Sequence, residues 1–188
     1  MENSNSVYLN VHQKLIDNCR KKDRKAQFEI YKLYYKNMYN ISLRIVNNSQ
    51  EAEDIIQESF LSAFEKIDYY SGKVSFGAWL KRIVINRSLD AVKKKKADLL
   101  NIDEDTDIPD ENGDKYEDEN IKLQAQEIHR CIRLLPEGYR VILSLYLLEG
   151  YDHEEIAEIM NISASTSRSQ YTRARNKLYS MLKEKQGE

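Results

Sequence analysis

Proline, glycine, cysteine and histidine are all scarce in this chain, and each shortage narrows what it can be. Two prolines and six glycines among 188 residues leave room for long, uninterrupted helices. Cys19 and Cys131 lie far apart in the sequence, so we expect reduced, buried thiols. His12, His129 and His153 are equally scattered. Because none of these residues has the spacing of metal ligands, we expect no metal site and no cofactor.

Long apolar runs and sequence motifs of enzymes are also missing. No stretch reaches the roughly 18 apolar residues that a membrane-spanning helix needs. The first ten residues, MENSNSVYLN, lack the basic start and apolar centre of a secretory signal. The sequence has no phosphate-binding glycine loop and no nucleophile–base set. We therefore expect neither enzymatic activity nor a small-molecule substrate.

The net charge of −2 conceals an uneven distribution of charge. Residues 97–120 contain eleven acids and one base, Lys115, whereas the rest of the chain has 28 bases and 20 acids. The acidic segment also contains Pro109 and Gly113 and has no apolar period, which is typical of a flexible linker. The basic remainder favours nucleic acid as a partner, because cations release counterions from phosphates.

Apolar residues recur at helical spacing on both sides of the acidic segment, which predicts an all-α fold of two small helical domains. We expect a leader or short helix over residues 1–23, a first domain over 24–96, a linker over 97–120 and a second domain over 121–188. In the first domain one helix should run from Arg24 to about Val46, with Phe28 among its apolar positions, and Ser49 should cap the next helix. In the second, Pro136 should open a helix that has Leu148 in its core and ends at Gly150.

The sequence from position 152 to 182 predicts a helix-turn-helix. Asp152 and Glu155 have the spacing of a capping box, Asn161 suits a left-handed turn, and Ser163 suits the cap of the second helix. That second helix carries Arg168 and further cations on its outer faces. A helical hairpin with a solvated basic face is the alternative interpretation.

Two segments of the first domain suggest binding surfaces. The outer face of the second long helix is acidic around Asp54 and Glu58; it either stabilises the helix dipole or docks on a basic partner. The loop DYYSGKVS at 68–75 leads into a basic helix, an arrangement that suits single-stranded nucleic acid. Alternatively, Trp79 is a core residue and the lysines of 93–96 form a solvated helix end.

Three separate motifs resemble those of the extracytoplasmic-function (ECF) sigma factors, members of the sigma-70 family, over about residues 24–182. They are AEDIIQESFLSAFEKI, SFGAWLKRIVINRSLDAVKKKK and LLPEGYRVILSLYLLEGYDHEEIAEIMNISASTSRSQYTRARNKL. The resemblance implies that 24–96 is sigma region 2, which docks on polymerase and melts and recognises the −10 element. It also implies that 121–188 is sigma region 4, which binds the −35 element as duplex.

The resemblance also assigns candidate residues to three surfaces. Polymerase docking is implied for Asp54, Gln57 and Glu58. Contact with the melted −10 strand is implied for Tyr69, Tyr70, Lys73, Ser75, Lys81, Arg82, Asn86, Arg87 and Lys93. Contact with the −35 major groove is implied for Ser165, Ser167, Arg168, Gln170, Tyr171 and Arg173, with Arg175 nearer the DNA backbone. Arginine commonly pairs with guanine and glutamine with adenine.

The implied function is that of an alternative sigma factor and not an enzyme. Its implied partners are promoter DNA, core RNA polymerase (the clamp coiled coil of the largest subunit and the flap region), and an anti-sigma factor, often membrane-bound. A cytoplasmic, nucleoid-associated location follows. The alternatives are a polymerase-independent helix-turn-helix regulator, which would need a sensor or dimerisation module in the first domain, and a module that only sequesters a partner.

The chain departs from the family pattern at a few positions. Asn161 stands where glycine is usual, and Ser167 where valine is usual, so we expect looser packing of the second helix at that point. Lys93 replaces a common arginine, and Gln170 and Tyr171 replace a frequent Arg-Leu pair. These departures affect the promoter sequence that is recognised more than the function itself.

Overall fold

The computed structural model describes residues 11–98 and 119–186, in two compact units, Met1–Asp105 and Thr106–Glu188. Every regular element within those residues is helical, and the all-α fold with two helical domains is confirmed. Residues 1–10 of the predicted leader and 99–118 of the predicted linker lie outside the described residues. No helix in the described part is long and apolar enough to cross a membrane.

The first unit packs three long helices and one short helix around an apolar core. Helices α2, α3 and α4 contact one another, and α1 packs on α2. Their bounds are α1 Gln13–Arg20, α2 Arg24–Val46, α3 Ser49–Glu65 and α4 Phe76–Asp98, with a 3₁₀ turn at Ile67–Tyr69. The largest fully buried side chains of this core are Ile16, Ile30, Met38, Ile41, Ile45, Ile56, Phe76, Leu80 and Ile85.

Local side-chain chemistry sets the ends of α2 and α3. Asp23 caps α2 by accepting from the backbone N–H of Lys25, and α2 ends at Val46 as predicted. Asn47 then takes a left-handed conformation with φ 57°. The prediction that Ser49 caps α3 is wrong, because Asn48 has the extended backbone and accepts from the Glu51 N–H at 2.9 Å.

The apolar pattern of α2 and α4 predicted most of the core but not all of it. Phe28 was expected among the apolar positions of α2, yet it is 59% exposed, while Ala26 and Ile30 on either side are buried. The buried face of α2 at its first turns is therefore rotated relative to the predicted one. Trp79 is only half-buried, between the core and the surface.

The second unit consists of four helices, α5 Glu119–Arg133, α6 Glu137–Leu143, α7 His153–Met160 and α8 Ala164–Gln186. A π-helical turn at Ser144–Leu148 extends α6, with the Glu149 N–H donating to the Ser144 carbonyl. Because a π turn has wider spacing than an α-helix, it shifts the phase of the residues that follow. Leu145 is consequently buried, whereas Leu148, which was predicted as core, is exposed.

The predicted helix-turn-helix is present in α7 and α8. Asp152 and Glu155 form the reciprocal capping box, with both hydrogen bonds made. Asn161 ends α7 with φ 56°, so the turn accepts asparagine in place of glycine. Ser163 accepts from the Thr166 N–H at 3.0 Å and so caps α8.

Both cysteines are buried thiols, as expected. Desolvation by burial, with a smaller contribution from the charge of Asp23, raises the pKa of the Cys19 thiol to about 11. Since the thiolate is the reactive form, Cys19 is an unreactive core residue at neutral pH.

Replacing Asp152 with alanine removes the side chain that satisfies the first turn of α7. We expect the free energy of unfolding to fall by about 1 kcal/mol and the melting temperature of this unit by about 4–8 °C. Calorimetry of the full chain measures the change. Glu158→Ala, which removes an exposed acid of the same helix without touching the cap, is the control and should shift the melting temperature by no more than about 2 °C. Equal shifts in the two variants would contradict this role of Asp152.

Candidate nucleic-acid interface

The loop before α4 presents one exposed ring above a buried aromatic cluster. Tyr69 is 84% exposed, whereas Tyr70 is only 3% exposed. The Tyr70 ring contacts those of Phe76 and Trp79, at centroid distances of 5.5 and 5.2 Å. Its hydroxyl donates to the Val74 carbonyl at 2.6 Å, and this bond closes the loop. The prediction that Tyr70 contacts a DNA strand is therefore wrong in detail, because its side chain supports the loop from inside.

Other residues hold or line the same loop. Gly72 has φ 74°, which glycine adopts without strain. Lys73 and Ser75 are exposed, and the Ser75 hydroxyl also accepts from the Ala78 N–H at the start of α4. Arg20 of α1 donates to the Tyr70 carbonyl at 2.8 Å. Sequence reasoning missed Arg20, because this contact joins residues fifty positions apart.

The predicted cations of α4 occupy its solvent side. Arg82, Asn86 and Lys93 are spaced by four and seven residues, so they share one helical face. Lys93 and Asn86 are exposed, while Arg82, like Lys81 on a flanking face, is half-buried. Tyr69 and Lys73 belong to the loop that leads directly into α4, so an exposed ring and exposed cations occur in neighbouring parts of the chain. Such an arrangement suits a single strand, whose bases stack while its phosphates are neutralised.

The acidic face of α3 is exposed at all three predicted docking residues, Asp54, Gln57 and Glu58. Leu61 follows at the same helical spacing and is 64% exposed. Sequence reasoning missed Leu61, although its spacing of three and four residues from Glu58 and Gln57 places it on the same helical face. Glu58 also accepts from Arg87 of α4 at 2.7 Å, which places a predicted docking residue against a predicted strand-binding residue.

The outer side of α8 carries most of the predicted −35 residues. Ser165, Arg168, Arg173 and Arg175 are exposed, and Gln170 is half-buried. Arg168 donates to Glu154 of α7 at 3.0 Å. Helical geometry also places Ser169 and Thr172 on the exposed side, where sequence reasoning did not consider them.

Ser167 does not line a groove, and that prediction is corrected. Its side chain is completely buried, and its hydroxyl lies 2.9 Å from Nδ1 of His153. Tyr171, one turn further on, is half-buried against the rings of Tyr146 and His153. Ser167 and Tyr171 therefore belong to the inner face of α8, together with the buried Ala174 and Leu178. The looser packing expected at Ser167 stays a prediction, although its hydroxyl has a partner in His153.

Both units match models of known protein families. Residues 30–97 match the family model described as Sigma-70 region 2, and residues 125–178 match that described as Sigma-70, region 4. The chain is 30% identical over 184 residues to the ECF RNA polymerase sigma factor SigW of Bacillus subtilis, covering 92% of this chain and 97% of that protein. It is 31% identical over 173 residues to the ECF RNA polymerase sigma-E factor of Haemophilus influenzae, covering 87% and 90%.

Two solved structures share the fold. One is the sigma factor RpoE in complex with the anti-sigma factor NepR from Bartonella quintana, with a TM-score of 0.59, 22% identity and coverage of 82% of this chain and 95% of that one. The other is CnrH in complex with the cytosolic domain of CnrY, with a TM-score of 0.55, 17% identity and coverage of 92% and 97%. Together with the family models and the relatives at 30% identity, they establish that this chain belongs to the ECF sigma factors of the sigma-70 family.

Proposed function

We propose that the two units of this sigma factor divide promoter recognition between them, the first holding the melted −10 strand and the second binding the −35 duplex. Sigma factors of this family are transcription initiation factors, and this chain directs RNA polymerase to promoters. The observation that carries the proposal is the exposed Tyr69 just before the cation-bearing helix α4, in the unit that matches region 2. The domain limits proposed from the sequence, 24–96 and 121–188, frame this division.

The first unit would favour open DNA by differential binding. A ring such as that of Tyr69 can stack on a base only when the base has left the duplex, and Arg82, Asn86 and Lys93 would then hold the strand. A partner that binds the strand-separated state better than the duplex shifts the equilibrium towards it. The loop would keep its shape during this exchange because Tyr70 and Phe76 fix it from the core.

The second unit would place α8 in the major groove at the −35 element. The exposed side of α8 presents guanidinium groups, which recognise guanine edges, and hydroxyl groups, which tolerate several bases. Arg168, Gln170 and Arg173 are the proposed base contacts, and Arg175 contacts the backbone. Ser167 is completely buried and would act from inside the unit, whereas Tyr171, which is only half-buried, stays among the proposed contacts.

The acidic face of α3 is the proposed docking site for core RNA polymerase. Asp54, Gln57 and Glu58 would meet a basic surface, and the exposed Leu61 would supply apolar contact area at the end of that face. An anti-sigma factor is a further proposed partner, as in the RpoE–NepR complex, and the proposed place of action is the nucleoid of the cytoplasm.

Reconstitution with bacterial core RNA polymerase tests the function directly. Transcription from a fragmented genomic library should give specific starts that share two upstream elements, at the spacing of −10 and −35. Core polymerase without this chain is the control. Tight DNA binding without polymerase, combined with no transcripts and no association with core, would instead support a free-standing regulator.

Replacing Tyr69 with alanine should weaken binding of the holoenzyme to a fork template with a single-stranded −10 element. We expect the Kd to rise about tenfold, because stacking of one base is worth ~1–3 kcal/mol. Fluorescence anisotropy with the promoter found above measures it. Tyr69→Phe keeps the ring and should bind within about twofold of the wild type. An alanine variant that binds as well as the phenylalanine variant would exclude stacking on Tyr69.

Replacing Asp54 with asparagine should weaken assembly with core polymerase and leave DNA contacts untouched. We expect the Kd for core to rise at least fivefold, since loss of one charge in a complementary interface costs about 1 kcal/mol or more. Asp90→Asn makes the same chemical change at an exposed position of α4 and is the matched control. If both variants assemble like the wild type, the acidic face of α3 is a solvated surface.

A further inference from the structure

A partly buried polar contact joins the two helices of the helix-turn-helix. His153 is the first residue of α7, and Ser167 lies one turn into α8. Nδ1 of His153 and Oγ of Ser167 are 2.9 Å apart, and Ser167 is completely shielded from solvent. A buried hydroxyl needs a hydrogen-bonding partner, and the imidazole supplies it in either tautomer, as acceptor or as donor.

Two tyrosine rings surround the same imidazole. Tyr146 stacks on His153 with ring centroids 4.7 Å apart and an angle of 20° between the planes. Tyr171 meets it edge-on at 5.6 Å, and the two tyrosine rings contact each other at 4.4 Å. Tyr146 comes from the π-helical turn that follows α6. Three elements therefore meet at His153: α7, the π-helical turn and α8. Two of its contacts, Ser167 and Tyr171, come from α8 and lie one turn apart.

This geometry restricts the rotation of α8 about its own axis. Apolar contacts tolerate sliding, but a hydrogen bond requires a narrow range of distance and angle. Side-chain ends lie roughly 6 Å from a helix axis, so a rotation of about 20° moves them by about 2 Å. A shift of that size breaks a bidentate contact to a base edge. Arg168, the neighbour of Ser167, is tied to Glu154, the neighbour of His153, by the 3.0 Å ion pair.

We propose that His153 is a positioning residue for −35 recognition, which acts through its hydrogen bond to Ser167 and sets the rotation at which α8 presents its outer side chains. The inference rests on the proposed function of the second unit. It adds a residue outside the predicted −35 set, and it gives Ser167 a role inside the protein in place of the predicted contact with DNA.

The test separates stability from selectivity. His153→Phe keeps a ring against the two tyrosines but leaves the Ser167 hydroxyl buried without its partner. The double variant His153→Phe/Ser167→Ala also removes that hydroxyl. We expect the melting temperature of the full chain to fall by about 4–8 °C in the single variant and to return to within about 2 °C of wild type in the double variant. Ser180→Ala, which removes an exposed hydroxyl of α8 bonded to its own helix, is the control.

Selectivity is the ratio of the holoenzyme Kd for a promoter with a scrambled −35 element to that for the intact promoter. We expect this ratio to fall at least fivefold in both the single and the double variant, although the double variant has recovered its stability. A purely structural role would restore the ratio together with the melting temperature. A double variant whose ratio stays within fivefold of the wild type therefore overturns the proposal.

A conservative variant tests the hydrogen bond itself. The amide of His153→Asn can take the place of Nδ1, so we expect its selectivity to stay within fivefold of the wild type. Loss of selectivity there would assign the effect to the ring and overturn the proposal as stated. Failure of this inference can be told apart from failure of the proposed function. If the second unit did not bind the −35 element, the wild-type holoenzyme would bind the intact and the scrambled promoter with the same Kd.

Discussion

Burial of one apolar stripe on α4 and another on α8 keeps the two helices that carry the candidate DNA contacts packed on their units. Phe76, Leu80 and Val84 anchor α4, and Ala174 and Leu178 anchor α8. Each fully buried large apolar side chain contributes about 1.5–3 kcal/mol. Repulsion between exposed cations is screened beyond roughly 8 Å at physiological salt. Packing therefore outweighs the electrostatic cost of concentrating positive charge on the opposite faces, and both cationic helices stay ordered without DNA.

Two arginines of those faces are already paired with carboxylates, Arg87 with Glu58 and Arg168 with Glu154. These pairs are substantially exposed, so each is worth at most about 1 kcal/mol. A phosphate or a base edge can replace the carboxylate at little cost. The pairing nevertheless holds each guanidinium near one position before DNA arrives, which lowers the entropy lost on binding. Glu58 also belongs to the proposed docking face. Polymerase binding at Glu58 and DNA binding at Arg87 would therefore both act on the same ion pair.

The sequence predicted the helices, their caps and the outward residues far better than it predicted the inner contacts of the site. Arg24, Val46 and Asn161 mark their boundaries through local chemistry, which a sequence displays directly. Tyr70, Ser167 and Leu148 were misassigned, and each depends on something non-local. Tyr70 turns inward to meet Phe76 and Trp79, Ser167 finds a partner fourteen residues earlier, and Leu148 follows a π turn that helical periodicity does not anticipate.

The free energies of base extrusion and base stacking also show why melting of the DNA must depend on polymerase in the proposed function. Extruding one base from a duplex costs a few kcal/mol, and stacking on a single ring such as that of Tyr69 returns ~1–3 kcal/mol. The free energy of one stacking contact thus roughly offsets the free energy of extruding one base. No favourable free energy remains to separate the neighbouring base pairs. The cations of α4 add attraction, but they bind duplex phosphates as well as single-stranded ones. Only a rigid assembly that also bends or clamps the DNA can shift the equilibrium decisively, so the docking face on α3 is what would make strand separation conditional on the polymerase.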